Sequence, residues 1–276
     1  MIKDILVSLS LGESHDAAGD YAMSVAELFG AHVSAFALAS VPVVPVTMPI
    51  DVLGVDIVGA ERAKNRKAAQ NAISRFENSL RAGGLRGEAR MFEAGVAEAS
   101  NQFGQFARCF DLSVVGQATP SQPEGGMIIE GALFGSGRPV IVVPYIQQKG
   151  MKLDRVVVCW DGSRAAARAT GDAMPFLTRA KKVDVVTIGA APAKSEEVPG
   201  ADLAQHLARH GRNVELQHLA VADIDTTSAI LSYVADAGAD LIVMGGYGHS
   251  RLREFVLGGV TRGILGSMTV PVLMSH

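Results

Sequence analysis

The sequence predicts an α/β protein made of two tandem, doubly wound parallel-sheet domains, and three observations support this. Short runs of Val, Ile and Leu are continuous rather than alternating, which suits strands buried on both faces of a parallel sheet. Helical stretches separate these runs, and the resulting βαβα alternation is typical of a doubly wound sheet. The pattern occurs twice in the 276 residues, a length that favours about two domains.

The repeat consists of three pairs of segments that keep their order in the chain. The pairs are 3–9 with 154–160, 110–116 with 239–245, and 138–143 with 269–274. The first half is longer, most simply because of a proline-rich stretch between 40 and 59. We therefore expect one domain at 1–147 and a second at 151–276.

Each half is expected to alternate strands, placed on the apolar runs, with helices, placed on the stretches between them. The first half has strands near 3–9, 32–38, 87–92, 111–116 and 139–143 and helices near 16–30, 59–82, 96–109 and 127–136. The second half has strands near 154–160, 183–189, 213–219, 240–245 and 270–274 and helices near 163–180, 200–210, 225–238 and 259–267.

The stretch 41–58 is the most membrane-like part of the chain, and we expect it to be a loop. Three prolines and two aspartates interrupt it, so it cannot form a continuous apolar helix of about 20 residues. Such a loop either packs as a lid over its own half or serves as a partner surface. Its Val, Met and Pro side chains would otherwise form an exposed apolar patch.

Composition excludes several classes of protein. A hydrophobic fraction of 48% with 19% charged residues supplies a packed core and excludes disorder. The net charge of −3 lacks the positive excess that non-specific nucleic-acid binding needs. The two cysteines, Cys109 and Cys159, are too few and too far apart for a disulfide framework or a C-x-x-C site. With no signal-peptide pattern at the N-terminus, a cytoplasmic protein is expected, without nucleic-acid or membrane partners.

The sharpest pattern lies where a ligand is expected in an open α/β sheet, after the first and fourth strands of the second half. The first of these strands is followed by WDGS at 160–163, and the fourth by a glycine-rich run at 245–261. Glycines here permit a tight turn and expose backbone N–H groups to an anion. Between 249 and 262, three arginines against one glutamate make the segment positive by two. The pattern indicates a phosphate site.

The spacing G-x2-G-x9-G of Gly245, Gly248 and Gly258 resembles the nucleotide-binding signature of the universal stress proteins. The likeness extends to the Asp161 loop and the closing strand at 270–273 and, more weakly, to the first half, so that the chain resembles a tandem universal stress protein. It implies for each half a five-stranded sheet of order 3-2-1-4-5, adenine nucleotide alpha hydrolase-like, with ATP bound between strands one and four.

The resemblance also implies which residues bind the nucleotide. Asp161 contacts the adenosine moiety, the backbone of Ile188 meets adenine, and the later glycines and Thr261 surround ribose and phosphates. The full set is Asp161, Gly162, Ile188, Met244, Gly245, Gly248, His249, Arg251, Gly258, Gly259, Val260 and Thr261. Gly259 stands where the family has Ser or Thr, which removes one hydrogen bond of about 1 kcal/mol. ADP or AMP are alternatives to ATP, and Mg²⁺ is expected with the nucleotide.

The first half lacks these features. Ser10 stands in the place of Asp161, and no Lys or Arg lies between Gly116 and Arg138. Two glutamates in that interval make it negative by two, which is unfavourable for a triphosphate. We therefore expect the first half not to bind ATP.

Some site residues also have structural interpretations. Gly245 alone is typical of a turn, and Asp161 can cap a helix that begins near Ser163. Arg251 and Arg253 either steer phosphate or form an exposed loop face.

Two further groups of residues are assigned structural roles. Cys159 is interpreted as a small core residue rather than a nucleophile. His206 and His210 are four residues apart, with His218 the one further nearby candidate ligand. A solvated helix face is favoured over a metal site there, because no H-E-x-x-H accompanies them.

The sequence contains no P-loop, no G-x-S-x-G elbow and no complete G-x-G-x-x-G, so it carries no enzyme signature. The leading hypothesis is an ATP-binding stress-response regulator whose nucleotide biases a conformation or a protein-partner surface. The alternatives are a slow ATP hydrolase that uses Asp161 or His249, and a nucleotide-free interaction scaffold. The two halves are expected to pair along their last strands as an intrachain pseudo-dimer, and a homodimer of chains is compatible with this.

Overall fold

The computed structural model describes residues 1–11, 15–42, 55–119, 124–189, 198–220, 225–247 and 259–276, with the backbone alone at 55–57 and 124. The chain divides into two compact units, residues 2–136 and 137–276. Both are α/β, as predicted, and every strand pair found within them among these described residues is parallel except one.

The unit 2–136 has the strand order β3-β2-β1-β4. Its strands are β1 (Asp4–Ser8), β2 (His32–Ser40), β3 (Gly87–Ala94) and β4 (Leu112–Gly116). Its helices are α1 (Ala17–Phe29), α2 (Val55–Ala82), α3 (Val96–Ala107) and α4 (Glu124–Gly135).

The unit 137–276 has the strand order β5-β10-β9-β6-β7-β8. Its strands are β5 (Val140–Val143), β6 (Arg155–Cys159), β7 (Lys182–Gly189), β8 (Val214–Ala220), β9 (Leu241–Gly245) and β10 (Val272–Ser275). Its helices are α5 (Arg164–Leu177), α6 (Ala201–Arg209), α7 (Thr226–Ala237) and α8 (Gly259–Ser267).

The single antiparallel pair explains where the units divide. β5 and β10, the closing strands of the two sequence repeats, pair with each other, and Ile141 lies opposite Leu273. β5 therefore belongs to the unit 137–276, although it precedes the expected sequence boundary at 147–150. The domain limits 1–147 and 151–276 stay predictions about the sequence repeats.

The central strands are buried on both faces, which is why their apolar runs do not alternate. In β6, Val156, Val157 and Val158 are all 0% exposed. The same holds for the three central apolar residues of β9, at 241–243. Helices cover both faces of such a sheet, so every side chain along the run is buried.

Helix α2 begins earlier than predicted. It starts at Val55, inside the stretch 41–58 that the sequence predicts to be a loop, and that prediction is wrong for 55–58. The last proline of the stretch is Pro49, so nothing prevents the helix from extending back to Val55. Residues 43–54 lie outside the described part of the chain. Among the described helices, none is both long and apolar enough to cross a bilayer.

Two equivalent aspartates hold the amino ends of the strands in both units. Asp111 Oδ2 accepts hydrogen bonds from the backbone N–H groups of Lys3 and Asp4, at 2.7 and 3.2 Å. Asp240 Oδ2 accepts bonds from the matching pair at the start of β6, at 2.8 and 3.0 Å. The similarity between segments 110–116 and 239–245 therefore includes the same aspartate–backbone contact. In both units this contact lies at the amino ends of the strands, away from the carboxyl ends.

Candidate functional site

The turn after β6 presents Asp161 and begins helix α5. Gly162 has a φ of +75°, a conformation that glycine adopts without strain. Ser163 caps α5, and its Oγ accepts a hydrogen bond from the N–H of Ala166 at 3.1 Å. Asp161 Oδ1 accepts a bond from the N–H of Ser163 at 2.9 Å. The alternative role considered for Asp161, that of helix cap, therefore belongs to Ser163, and the Asp161 carboxylate orders the turn before the cap.

Asp161 is exposed, whereas Cys159 two residues earlier is half-buried. Burial raises the pKa of the Cys159 thiol to about 12, and the negative charge of Asp161 raises it further in the same direction. The thiol is therefore protonated at neutral pH and is a poor nucleophile, which supports the interpretation that Cys159 is not a nucleophile.

Alkylation tests this protonation state. At pH 8 a thiol with a pKa of about 12 is ionised in only about one molecule in ten thousand. The exposed Cys109 is expected to react with iodoacetamide in the native protein, and Cys159 only after denaturation. Peptide mass spectrometry after timed labelling measures both sites, with Cys109→Ser as the control. Equal native rates for the two cysteines would contradict the assignment.

Gly245 ends β9 at the point where the first turn of α5 crosses the strand. A Cβ added to Gly245 would lie 2.6 Å from the backbone nitrogen of Ala166 and 2.7 Å from the carbonyl carbon of Ala165. Real Cβ atoms essentially never approach backbone so closely. Glycine is thus required by the close approach of a helix to a strand end, and not by a positive φ.

The turn that follows Gly245 holds a strained residue. Tyr247 has a φ of +50°, the only positive φ of a non-glycine residue in the described ranges. Such a conformation costs roughly 1–3 kcal/mol. The N–H of Tyr247 donates a long hydrogen bond to Thr261 Oγ1 at 3.4 Å, and the N–H of Gly246 donates to the Ser275 carbonyl at 2.9 Å. These contacts tie the turn to α8 and to β10.

The start of α8 contributes the second helix N-terminus. Gly259 is exposed, Val260 is half-buried and Thr261 is buried. The hydroxyl of Thr261 accepts the bond from Tyr247, so it supports the turn from inside the unit. The first turn of a helix leaves N–H groups without intrahelical partners, and these attract anions.

The structure brings the predicted residues that it describes to the carboxyl ends of adjacent strands. β6 and β9 pair in parallel through Val158 and Val243, so Asp161 and Gly245 follow neighbouring strand ends. Ile188 is half-buried near the end of β7, which is the other neighbour of β6. Met244 is 5% exposed within β9. Gly248, His249, Arg251 and Gly258, like Arg253, lie outside the described residues and stay predictions.

Ser163 and Tyr247 are the residues of this site that the sequence interpretation missed. A serine directly before a helix is a common N-cap, so the role of Ser163 was predictable from the sequence. Tyr247 lies between two glycines, but its left-handed backbone depends on contacts with β10 and α8 that are distant in sequence.

The three histidines considered as metal ligands, His206, His210 and His218, do not come together at one site. The rings of His206 and His210 contact each other, with centroids 4.8 Å apart. His218 Nδ1 instead pairs with Thr187 Oγ1 at 3.1 Å. In the described part of the chain there is no group of three or more His, Cys, Asp or Glu side chains that could hold a metal ion.

Comparison with known proteins places the second half in a family. Residues 152–276 match the family model described as the universal stress protein family, so this part of the chain is a universal stress protein domain. Universal stress protein Slr1230 from Synechocystis sp. is 24% identical over 229 residues, which cover 79% of this chain and 76% of that protein.

Solved structures extend the likeness of fold to the first half. A universal stress protein from Archaeoglobus fulgidus DSM 4304 has a TM-score of 0.67 at 17% identity, covering 98% of this chain and 94% of its own. A putative universal stress protein from Pseudomonas aeruginosa UCBPP-PA14 has a TM-score of 0.58 at 14% identity, covering 99% and 92%. At these identities the likeness concerns the fold alone.

Proposed function

We propose that the universal stress protein domain at residues 152–276 binds one adenine nucleotide at the carboxyl ends of β6 and β9. The observation that carries this proposal is the meeting of two helix N-termini at these strand ends. The first turn of α5 lies against Gly245. The first turn of α8 contacts the turn that follows Gly245, because the Thr261 hydroxyl accepts a hydrogen bond from the N–H of Tyr247. Two positive helix ends at one place favour an anionic ligand.

The described residues offer different groups to the two ends of a nucleotide. The exposed carboxylate of Asp161 is oriented by the N–H of Ser163 and can accept hydrogen bonds from ribose hydroxyls. The N–H groups of Gly259 and Val260, in the first turn of α8, can donate to phosphate oxygens. Mg²⁺ would be held mainly by the phosphates, since it commonly binds through few carboxylates plus substrate phosphates.

The proposed role is regulation rather than fast chemistry. Tyr247 keeps a strained backbone beside the helix end that would receive the phosphates. A nucleotide that contacts this turn changes the balance between its strained and relaxed forms, because it binds the two with different affinity. ATP, ADP and AMP would then differ in effect through the phosphates that they carry.

Titration of nucleotide-free protein with Mg-ATP tests this proposal. Freshly purified protein is first denatured so that any released nucleotide can be identified. We expect one ATP site per chain. Asp161→Ala should weaken binding about tenfold, the loss of one hydrogen bond to a charged group. Asp161→Asn should weaken it only about threefold, because its amide oxygen still accepts from Ser163.

Ser10→Ala is the matched control, since Ser10 occupies the corresponding place in the first half and should leave ATP affinity unchanged. Two equivalent ATP sites per chain, or no ATP binding at all, would overturn the proposal. If the protein releases phosphate continuously and Asp161→Ala abolishes this release, the protein is an ATP hydrolase rather than a regulator.

A further inference from the structure

The unit 2–136 has a cavity of its own at the carboxyl ends of β1 and β4, where its strand order reverses. The cavity has a volume of about 420 Å³. Small-molecule sites typically have volumes of roughly 300–1,000 Å³. Leu9 and Val115 lie at the strand ends, and Asn65 and Ala68 line it from α2. This place corresponds to the proposed nucleotide site of the second half, but its chemistry is different.

The first helix of this unit leaves more room at the end of β4 than its counterpart leaves at the end of β9. A Cβ added to Gly116, at the end of β4, would meet Ser10 Oγ at 3.7 Å and Ala18 Cβ at 4.0 Å, which are ordinary contacts. At the equivalent Gly245 the same atom would lie 2.6 Å from helix backbone. The helix start that closes over β9 in one unit thus leaves space beside β4 in the other.

Two polar side chains at this cavity, Ser10 and Asn65, present oxygens that can accept hydrogen bonds. Ser10 donates its N–H to Asp16 Oδ2 at 3.0 Å, and its hydroxyl also bonds to Asp16. With its proton engaged, Ser10 Oγ is left as an acceptor. Asn65 Nδ2 donates to the carbonyl and hydroxyl oxygens of Ser40, at 2.9 and 3.2 Å, a pairing that does not use its Oδ1. A ligand that suits these oxygens must donate hydrogen bonds.

Charge at this cavity does not favour an anion. Lys64 is the one cationic residue among those that line it. Its ammonium lies 3.1 Å from Glu61 Oε1, and its side chain is 73% exposed. The charge is therefore already balanced and well screened. Phosphate oxygens only accept hydrogen bonds, so they cannot form hydrogen bonds with the acceptor oxygens of Ser10 and Asn65.

We propose that this cavity binds an uncharged, hydroxylated ring compound, the chemistry that a nucleoside and a free sugar share, and does not bind a nucleotide. The ring hydroxyls donate to Ser10 Oγ and Asn65 Oδ1. The apolar side chains of Leu38 and Ile128, which also line the cavity, cover the faces of the ring. This site is separate from the one proposed in the second half and does not depend on it.

The full chain, saturated with Mg-ATP so that any ATP site is filled, is titrated calorimetrically with adenosine and, in a parallel arm, with ribose. We expect one further equivalent of adenosine, of ribose or of both to bind per chain, and the two arms separate a nucleoside from a sugar. Because the ligand is uncharged, affinity should not change between low and high salt. Lys64→Met should change the affinity for adenosine or ribose by less than about threefold.

Ala68→Phe should fill the cavity and weaken this binding at least about tenfold. Ala63→Phe, on an exposed position of the same helix, is the matched control and should have no effect. Ala68→Leu, with thermal unfolding of each variant, separates a filled cavity from a misfolded protein. The proposal is overturned if neither ligand binds in an Ala68-dependent way. It is also overturned if AMP or ATP binds there more tightly than adenosine.

Discussion

Replacing Gly245 by alanine is expected to destabilise the unit 137–276 by about 2–3 kcal/mol. The added Cβ would lie 2.6 Å from the backbone nitrogen of Ala166 and 2.7 Å from the carbonyl carbon of Ala165. Backbone atoms of a packed helix cannot turn aside as a flexible side chain can, so the first turn of α5 must move. That movement shifts Ser163 and, with it, the carboxylate of Asp161, so ATP affinity should also fall. Urea unfolding and calorimetric titration measure the two effects.

Gly116→Ala is the control for this substitution. It places the same methyl group at the equivalent strand end of the unit 2–136, where the nearest atoms are at 3.7 and 4.0 Å. We expect it to change stability by less than about 0.5 kcal/mol. Similar effects of the two substitutions would show that the close approach of α5 to β9 does not decide the requirement for glycine.

Replacing Arg155 by methionine is expected to cost about 3–5 kcal/mol, because it leaves a buried carboxylate without its ion-pair partner. Asp184, in β7, is 0% exposed, and its Oδ2 accepts bonds from Arg155 Nε at 2.7 Å and from Tyr233 Oη at 2.9 Å. Within the described residues, Asp184 Oδ1 has no hydrogen-bond partner. The hydrogen bond to Asp184 raises the pKa of Arg155, as expected for a cation held by a buried anion.

Two further variants test this interpretation by urea unfolding. Lys181→Met removes an ion pair with Asp154 in which the side chains are 79% and 57% exposed, and should leave the urea midpoint nearly unchanged. Arg155→Met combined with Asp184→Val should recover part of the lost stability, since no buried charge remains. Recovery is partial because Tyr233 loses its acceptor. A double variant no more stable than Arg155→Met would contradict the argument.

The two substitutions should differ in their effect on function. Arg155 is the first residue of β6, at the amino end of the sheet, whereas the candidate site lies at the carboxyl ends. Under conditions where both proteins are folded, Arg155→Met should leave ATP affinity unchanged, and Gly245→Ala should lower it. This difference separates a general loss of stability from a local change in the site.

The central strands were predictable because they are short apolar runs whose middle residues are buried on both faces. The predicted strand at 240–245 and the observed β9 at Leu241–Gly245 differ by one residue at one end. The start of α2 was less predictable, because an apolar stretch without proline at 55–58 suits a helix as well as a loop. Gly245 was predicted as a site residue, but its contact with α5 joins segments about 80 residues apart.

The sequence by itself determined the α/β class, the internal sequence repeat and the strand ends at which the predicted site residues lie, because these follow from local apolar runs and from glycines at fixed spacing. Only the tertiary structure decided how each strand end is used. α5 closes against Gly245, whereas Gly116 lines a cavity that also contains the side chains of Ser10 and Asn65. The distance between a helix start and a strand end depends on packing across the whole unit, and no local pattern of residues encodes it.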